Sequence, residues 1–191
     1  MKSNYSIYDL LSNSYINTFG FNRCDEDTVY KFFDSICYRN CDKVVRLYTD
    51  DYPLKHNKFE NYTISTIEEI YEIISKLKNN IIVIDNIGML TAEGSMKSSM
   101  IIRKFILDLR EHCGIYDCNV IMGNFTYTSL DKGQVMSGSS SIVYSSDNVF
   151  KVRDGLLTCQ KSRDVHTDEY TDINIKAVYL REDNLKKLLD D

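Results

Sequence analysis

The sequence predicts an α/β fold: a mostly parallel central sheet flanked by helices, with short antiparallel strands at the C-terminal end. Three observations carry this. Strand-like and helix-like patterns alternate through the first two thirds of the chain, as in βαβ units. Residues 80–85 (NIIVID) form a continuous, β-branched apolar run, as expected of a strand buried on both faces. Three short strand-like stretches, 147–152, 156–160 and 173–180, then close the chain.

Taken in order, residues 15–21 (YINTFGF) read as a short strand with alternating apolar positions. Residues 25–39 read as a helix: Asp25, Glu26 and Asp27 favour its first turn, and Val29, Phe32, Phe33 and Ile36 make its apolar stripe. A strand follows at 43–49 (KVVRLYT), then the acidic pair Asp50-Asp51, then a polar, irregular stretch over 52–62. Thr66 opens a helix to about Lys78, with Glu69 placed for a capping box. After the strand at 80–85 come a Gly/Ser/Met loop over 91–97 and an amphipathic helix over 97–113, with Ile101, Ile102, Phe105, Ile106 and Leu109 on one side. A second buried strand is expected at 118–123 (CNVIMG). A Ser/Thr/Gly-rich loop is expected at 124–141. The tail (REDNLKKLLDD) reads as a short helix.

The chain has 191 residues, enough to bury a core without disulfide staples, and a single proline argues against long linkers. We expect one domain over 1–191, with its core at about 15–180. A net charge of −5 argues against non-specific coating of nucleic acid, which depends on Lys and Arg. The six cysteines (Cys24, Cys37, Cys41, Cys113, Cys118, Cys159) form no CxxC pair, and no His stands at zinc-ligand spacing from them. They read as small buried hydrophobes. Neither a signal peptide nor a membrane-length apolar run is present. The expectation is a reduced protein of the cytoplasm or nucleus.

In parallel α/β sheets ligands bind at the carboxyl ends of the strands. There, NNIIVIDNIGML (79–90) delivers Asp85 from a buried strand, the Walker B pattern, whose carboxylate can hold Mg²⁺ through water. A loop, a helix ending RKFILDLREHCGIYDC, the strand VIMG and then Asn124 follow. GQVMSGSSSIVYSSDNVFKV carries Asp147, and LLTCQKSRD ends in Lys161-x-Arg163. This ordered series resembles the RecA-like ATPase core of DnaB-type helicases, over roughly residues 15–180. The resemblance implies that Asn124 takes the place of a nucleotide-sensing residue. It implies that Lys161 and Arg163 reach a neighbour's γ-phosphate, and that the loop with Phe125, Tyr127 and Lys132 is the DNA-binding candidate.

The chain departs from that family where phosphate should bind. The family's loop is G-x-x-x-x-G-K-[ST]; the matching stretch is GFNRCDEDT (20–28). Gly20 can stand for the first glycine and Thr28 for the hydroxyl. The second glycine and the Lys are absent, and Asp25, Glu26 and Asp27 occupy their place. At ~5 Å and an effective dielectric near 20, each unit charge interacts by about 3 kcal/mol with a phosphate charge, so the exchange of a cation for acids opposes ATP. Asp50 or Asp51 stands where the family keeps its catalytic Glu, and a solvated turn is the simpler reading.

The expected function is a non-catalytic RecA-like accessory subunit in DNA recombination, repair or replication, partnered with a RecA-like relative or with itself. DNA contact would run through the loop or the partner, and no membrane is involved. No cofactor is expected. Two alternatives stay open: an atypical ATPase or helicase-like motor using Asp85 and Mg-ATP, and a protein-binding adaptor that borrowed the fold.

Overall fold

The structure is a computed structural model that describes residues 11, 15–49, 58–90, 98–129, 133–136, 140–163 and 173–175. The loop expected at 91–97, the C-terminal tail and most of the stretch at 173–180 lie outside these residues, as do Asp50, Asp51 and Lys132.

Strand β1 (Ile16–Phe21) passes through a single 3₁₀ turn (Arg23–Asp25) into helix α1 (Glu26–Arg39). Then come β2 (Val44–Tyr48), β3 (Glu60–Thr63), α2 (Ile67–Ile74), β4 (Ile81–Ile84) and a second 3₁₀ turn (Ile87–Met89). Helix α3 (Ser98–Tyr116) leads to β5 (Asn119–Ser129), β6 (Gly133–Met136) and α4 (Ser140–Ser145). The chain closes with β7 (Asn148–Arg153), β8 (Leu156–Lys161) and β9 (Ile173–Asn174).

The sheet order is β3-β2-β4-β5-β1-β7-β8-β9, with β6 paired to β5 off this path. Every pairing from β3 to β7 is parallel; β8 and β9 add antiparallel strands, as expected for the C-terminal end. Sequence neighbours β1 and β2 are separated by β4 and β5, so helices must cross the faces of the sheet and both faces are covered. On one face α1 buries Val29, Phe32, Phe33 and Ile36 against Phe19, Phe21, Val83 and Phe150. On the other, α2 and α3 bury Ile70, Phe105, Ile106 and Leu109 against Leu47, Ile82, Ile84 and Met122. The capping box at Thr66 forms as the spacing predicts: Thr66 accepts from the Glu69 N–H, and Glu69 accepts from the Thr66 N–H.

Three elements differ from expectation. Helix α2 stops at Ile74 rather than Lys78, because the Lys76 and Leu77 N–H groups bond three residues back and tighten the chain out of α geometry. Residues 60–63 are strand β3, although 52–62 reads as irregular. This polar segment (ENYT) joins through its backbone in register with β2, and an edge strand exposed to water needs no apolar alternation. The stretch at 124–141 is mostly a hairpin rather than a loop: β5 runs on to Ser129 and pairs with β6, and α4 begins at Ser140. Its Ser/Thr/Gly composition signals a turn, but Phe125, Thr126, Tyr127 and Thr128 favour an extended strand. The tight turn between β7 and β8 rests on Asp154-Gly155, both at positive φ (53° and 76°), which matches the twist of a two-residue hairpin.

Candidate functional site

Register sets the site. Gly20 on β1 lies opposite Asn124 on β5, and Ile84 on β4 lies opposite Met122, so Asp85 comes level with Gly123. The backbones are close there: a Cβ on Gly123 would stand 1.9 Å from the Asp85 carbonyl oxygen. Gly20, Asp85 and Asn124 therefore gather at the carboxyl ends of three adjacent parallel strands, as expected of a nucleotide site in this kind of sheet.

The link from β1 to α1 is short. Asn22 and the 3₁₀ turn Arg23–Asp25 span it completely. The Asn22 side chain accepts from the Cys24 N–H (3.0 Å) and the Asp25 N–H (3.2 Å), using the backbone donors that would otherwise point outward. Glu26 and Asp27 lie in the first turn of α1, as the charge pattern predicts. Asp25 does not join them in capping α1. It is 4% exposed, and its carboxylate accepts from the Asp154 N–H (3.2 Å) and the Gly155 N–H (3.0 Å), pinning the link to the β7–β8 turn. Thr28 is buried in the same first turn. Arg23 lies over the Phe125 ring, 5.6 Å from its centroid.

Asp85 and Asn124 are both at 0% exposure. Asp85 Oδ1 accepts from the Thr49 N–H and the Thr49 hydroxyl, each at 2.9 Å. Its Oδ2 is buried without a hydrogen-bond partner. Burial pushes the Asp85 pKa up, against the opposing pull of Arg46 and the Thr49 donors. Asn86 Oδ1 accepts from the Gly88 N–H (3.0 Å) and fixes the 3₁₀ turn Ile87–Met89. That turn packs on Asn124: a Cβ at Gly88 would lie 2.6 Å from Asn124 Oδ1. The strand ends are thus covered by the protein's own chain.

Beneath them lies a residue the motif reading missed. Arg46, in the middle of β2, is fully buried between the sheet and α1. Its Nε donates to Asp34 Oδ1 of α1 at 3.3 Å, and its guanidinium lies over the rings of Tyr48 (4.7 Å) and Phe33 (5.4 Å). Arg46 is opposite Val83, so Asp85, two residues further along β4, is its diagonal neighbour on the same face. Burial lowers the Arg46 pKa, but Asp85, Cys37, Asp34 and Tyr48 outweigh it and the net direction is up. Tyr30 of α1, whose hydroxyl donates to Glu26 Oε1 at 2.9 Å, is also raised, by burial first and then by the charges of Asp85 and Glu26. The sequence signal was available: a lone Arg inside the otherwise apolar run VVRLY, in a strand whose every residue is buried.

Lys161 and Arg163 come together around the C-terminal end of α4. The Lys161 ammonium donates to the carbonyls of Val143 (3.0 Å), Tyr144 (3.0 Å) and Ser146 (2.6 Å), so it caps that helix. Arg163 pairs with Asp147 at 3.0 Å while its side chain stays 60% exposed. Asp147 also accepts from the Ile16 N–H and pairs with Arg110 of α3, tying β1, α3 and the end of β8 together. Phe125 and Tyr127 lie on β5 in the hairpin arm, Phe125 packed on Phe21 and Tyr127 54% exposed. On the α4 side of β1, a cavity of about 160 Å³ is lined by Gly20, Thr126, Met136, Val143, Phe150, Lys151 and Gln160. That is below the roughly 300 Å³ at which small-molecule pockets usually begin. Among the described residues no cluster of His, Cys, Asp and Glu is arranged to hold a metal, and no helix is long and apolar enough to cross a membrane.

No protein-family model matches the sequence, and no curated protein matches it by sequence. Solved structures do match its fold. The separately solved ATPase domain of a DnaB-like helicase superposes with a TM-score of 0.61 at 12% identity, covering 81% of this chain and 79% of that one. A DnaB-like replicative helicase, solved in a study of its interactions with primase, superposes with a TM-score of 0.58 at 12% identity. That match covers 78% of this chain and 54% of the helicase. The fold is therefore the RecA-like α/β core of DnaB-type helicase ATPase domains.

Proposed function

We propose that this RecA-like chain is a non-catalytic accessory subunit of DNA recombination, repair or replication that acts through protein contacts, its phosphate-binding loop degenerate. One observation carries the reading: the place where a nucleotide would lie is filled from within. Asp85 and Asn124 are fully buried, and the outward backbone donors of the β1–α1 link are held by Asn22. The acidic Glu26 and Asp27 stand where phosphate charge would fall. Lys161, expected to reach a neighbour's phosphate, instead caps α4, which leaves the exposed Arg163 as the candidate for a contact in trans. A DnaB-like helicase was solved with regard to its interactions with primase, which makes a replication protein a reasonable class of partner.

A second reading keeps one observation in its favour. Asp85 Oδ2 is buried and unpartnered, and an atypical ATPase would use it toward Mg²⁺ after the turn Ile87–Met89 moved aside. Asp85, Asn124 and a cation from elsewhere would then serve the nucleotide. Calorimetric titration with MgATP and MgADP, with Asp85→Ala as control, separates the two. Absence of heat up to millimolar nucleotide is the expected result. Micromolar binding that Asp85→Ala abolishes would overturn the non-catalytic reading.

A further inference from the structure

We infer that the outward face of α3 is a self-association surface, on which a second copy of this chain docks antiparallel about a two-fold axis through Leu107. The inner face of α3 is spent on the core through Phe105, Ile106, Leu109 and Cys113. Both flanks are tied to neighbours: Asp108 accepts from the Tyr71 hydroxyl of α2 at 2.6 Å, and Arg110 donates to the Ser145 carbonyl at 2.7 Å. What remains faces away from the domain. Met100 is 58% exposed, Leu107 47% and Ile115 64%. Arg103, Lys104, Glu111 and Gly114 are exposed beside them. Met100, Leu107 and Gly114 recur at seven-residue spacing, so they form one line along the helix.

The pattern is complementary to its own reverse. Leu107 is the central residue of the 19-residue helix. In an antiparallel pair centred there, each residue meets the one equally far on the other side of Leu107 in the second copy. Leu107 then meets Leu107. Arg103, four before, meets Glu111, four after, and the two-fold axis makes that ion pair twice. Met100, seven before, meets Gly114, seven after. Gly114 has nothing within 4 Å of where its Cβ would be, so the chain's own packing does not require glycine there. Glycine inside a helix is unfavourable relative to alanine, and a close approach from outside accounts for it. The helix is about 28 Å long, so the contact belongs with small, reversible interfaces rather than obligate ones.

The surface lies on the helix layer and does not involve the strand ends, so it is independent of whether nucleotide binds. The test uses the full chain in sedimentation velocity over roughly 5–500 µM, the range in which a small interface dissociates. Wild type should show a monomer–dimer equilibrium. Arg103→Glu alone and Glu111→Arg alone should each weaken it by about tenfold or more, because each homodimer then opposes like charges twice. Mixing the two single variants should restore a heterodimer to within about threefold of wild type, since every crossing pair is again opposite. Leu107→Asp should leave monomer, with far-UV circular dichroism confirming that the exposed substitution folds. The inference is overturned if wild type stays monomeric throughout, if the single reversals leave a dimer unchanged, or if the mixture fails to recover it.

Discussion

Arg46 is the residue on which the interior of this molecule turns. A guanidinium with no exposed surface is tolerated only with countercharge and ring faces around it, and here it has Asp34, Tyr48, Phe33 and, diagonally, Asp85. Removing one member of a buried ion pair strands the other. Arg46→Met should therefore cost about 3–5 kcal/mol, and Arg46→Met combined with Asp34→Leu should recover most of it, both read from urea unfolding. Additive losses would show that the pair is not coupled. Asp85 makes a pH-dependent prediction. Its folded pKa is raised by burial, so its favourable contribution is complete below the unfolded value of about 3.9 and is lost as pH rises through the folded value. The stability difference between wild type and Asp85→Asn should fall with pH across that window and then level off. A rise with pH would contradict the burial argument. Asp85 was legible in the sequence because a strand pattern ending in a carboxylate is a local signal. The role of Arg46 was not, because its partners come from α1 and from the next strand.

The element that decides how the site differs from a phosphate-binding one is the link between β1 and α1. Its backbone donors are held by Asn22, and its end is fastened by Asp25 to the β7–β8 turn. Asp25→Ala leaves the buried Gly155 N–H without its acceptor and should cost about 1–3 kcal/mol, with faster hydrogen exchange at Gly155 than elsewhere in β7 and β8. Uniform exchange would mean that the fastening is not local. Helix α4 makes a parallel case. It has only six residues, too few for helical stability of its own, and Lys161 satisfies carbonyls at its end. Lys161→Met should raise exchange in α4 while leaving α1 and α3 unchanged; unchanged exchange in α4 would remove the capping role. From sequence, Asp25 read as part of an acidic helix start and Lys161 as a basic strand end. Each is a correct local description. Neither reveals its use, because the acceptor or donor it meets comes from a distant part of the chain.

At the scale of the whole molecule, the parallel sheet from β3 to β7 places Gly20, Asp85 and Asn124 side by side, and the antiparallel strands at the end of the chain supply the turn that holds Asp25. One close approach supports that arrangement. Gly123→Ala would put a Cβ 1.9 Å from the Asp85 carbonyl oxygen, where backbone meets backbone and no side chain can yield. The strands must then part. A loss of at least about 1–3 kcal/mol is expected, measured by thermal and urea unfolding, and a fully stable Gly123→Ala protein would show the approach to be looser than drawn. The sequence by itself determined the α/β class, the buried strands β1, β2, β4 and β5, helices α1 and α3, the capping box at Thr66 and the gathering of Asp85 with Asn124. These follow from periodicity and from residues within a few positions of one another. Only the tertiary structure decided that 60–63 is an edge strand, that 119–136 holds a hairpin, that Arg46 is the internal cation, and that Asp25 and Lys161 are fasteners. Those outcomes depend on which backbone or charge arrives from far along the chain, and burial makes every such polar group find a partner that local sequence does not name.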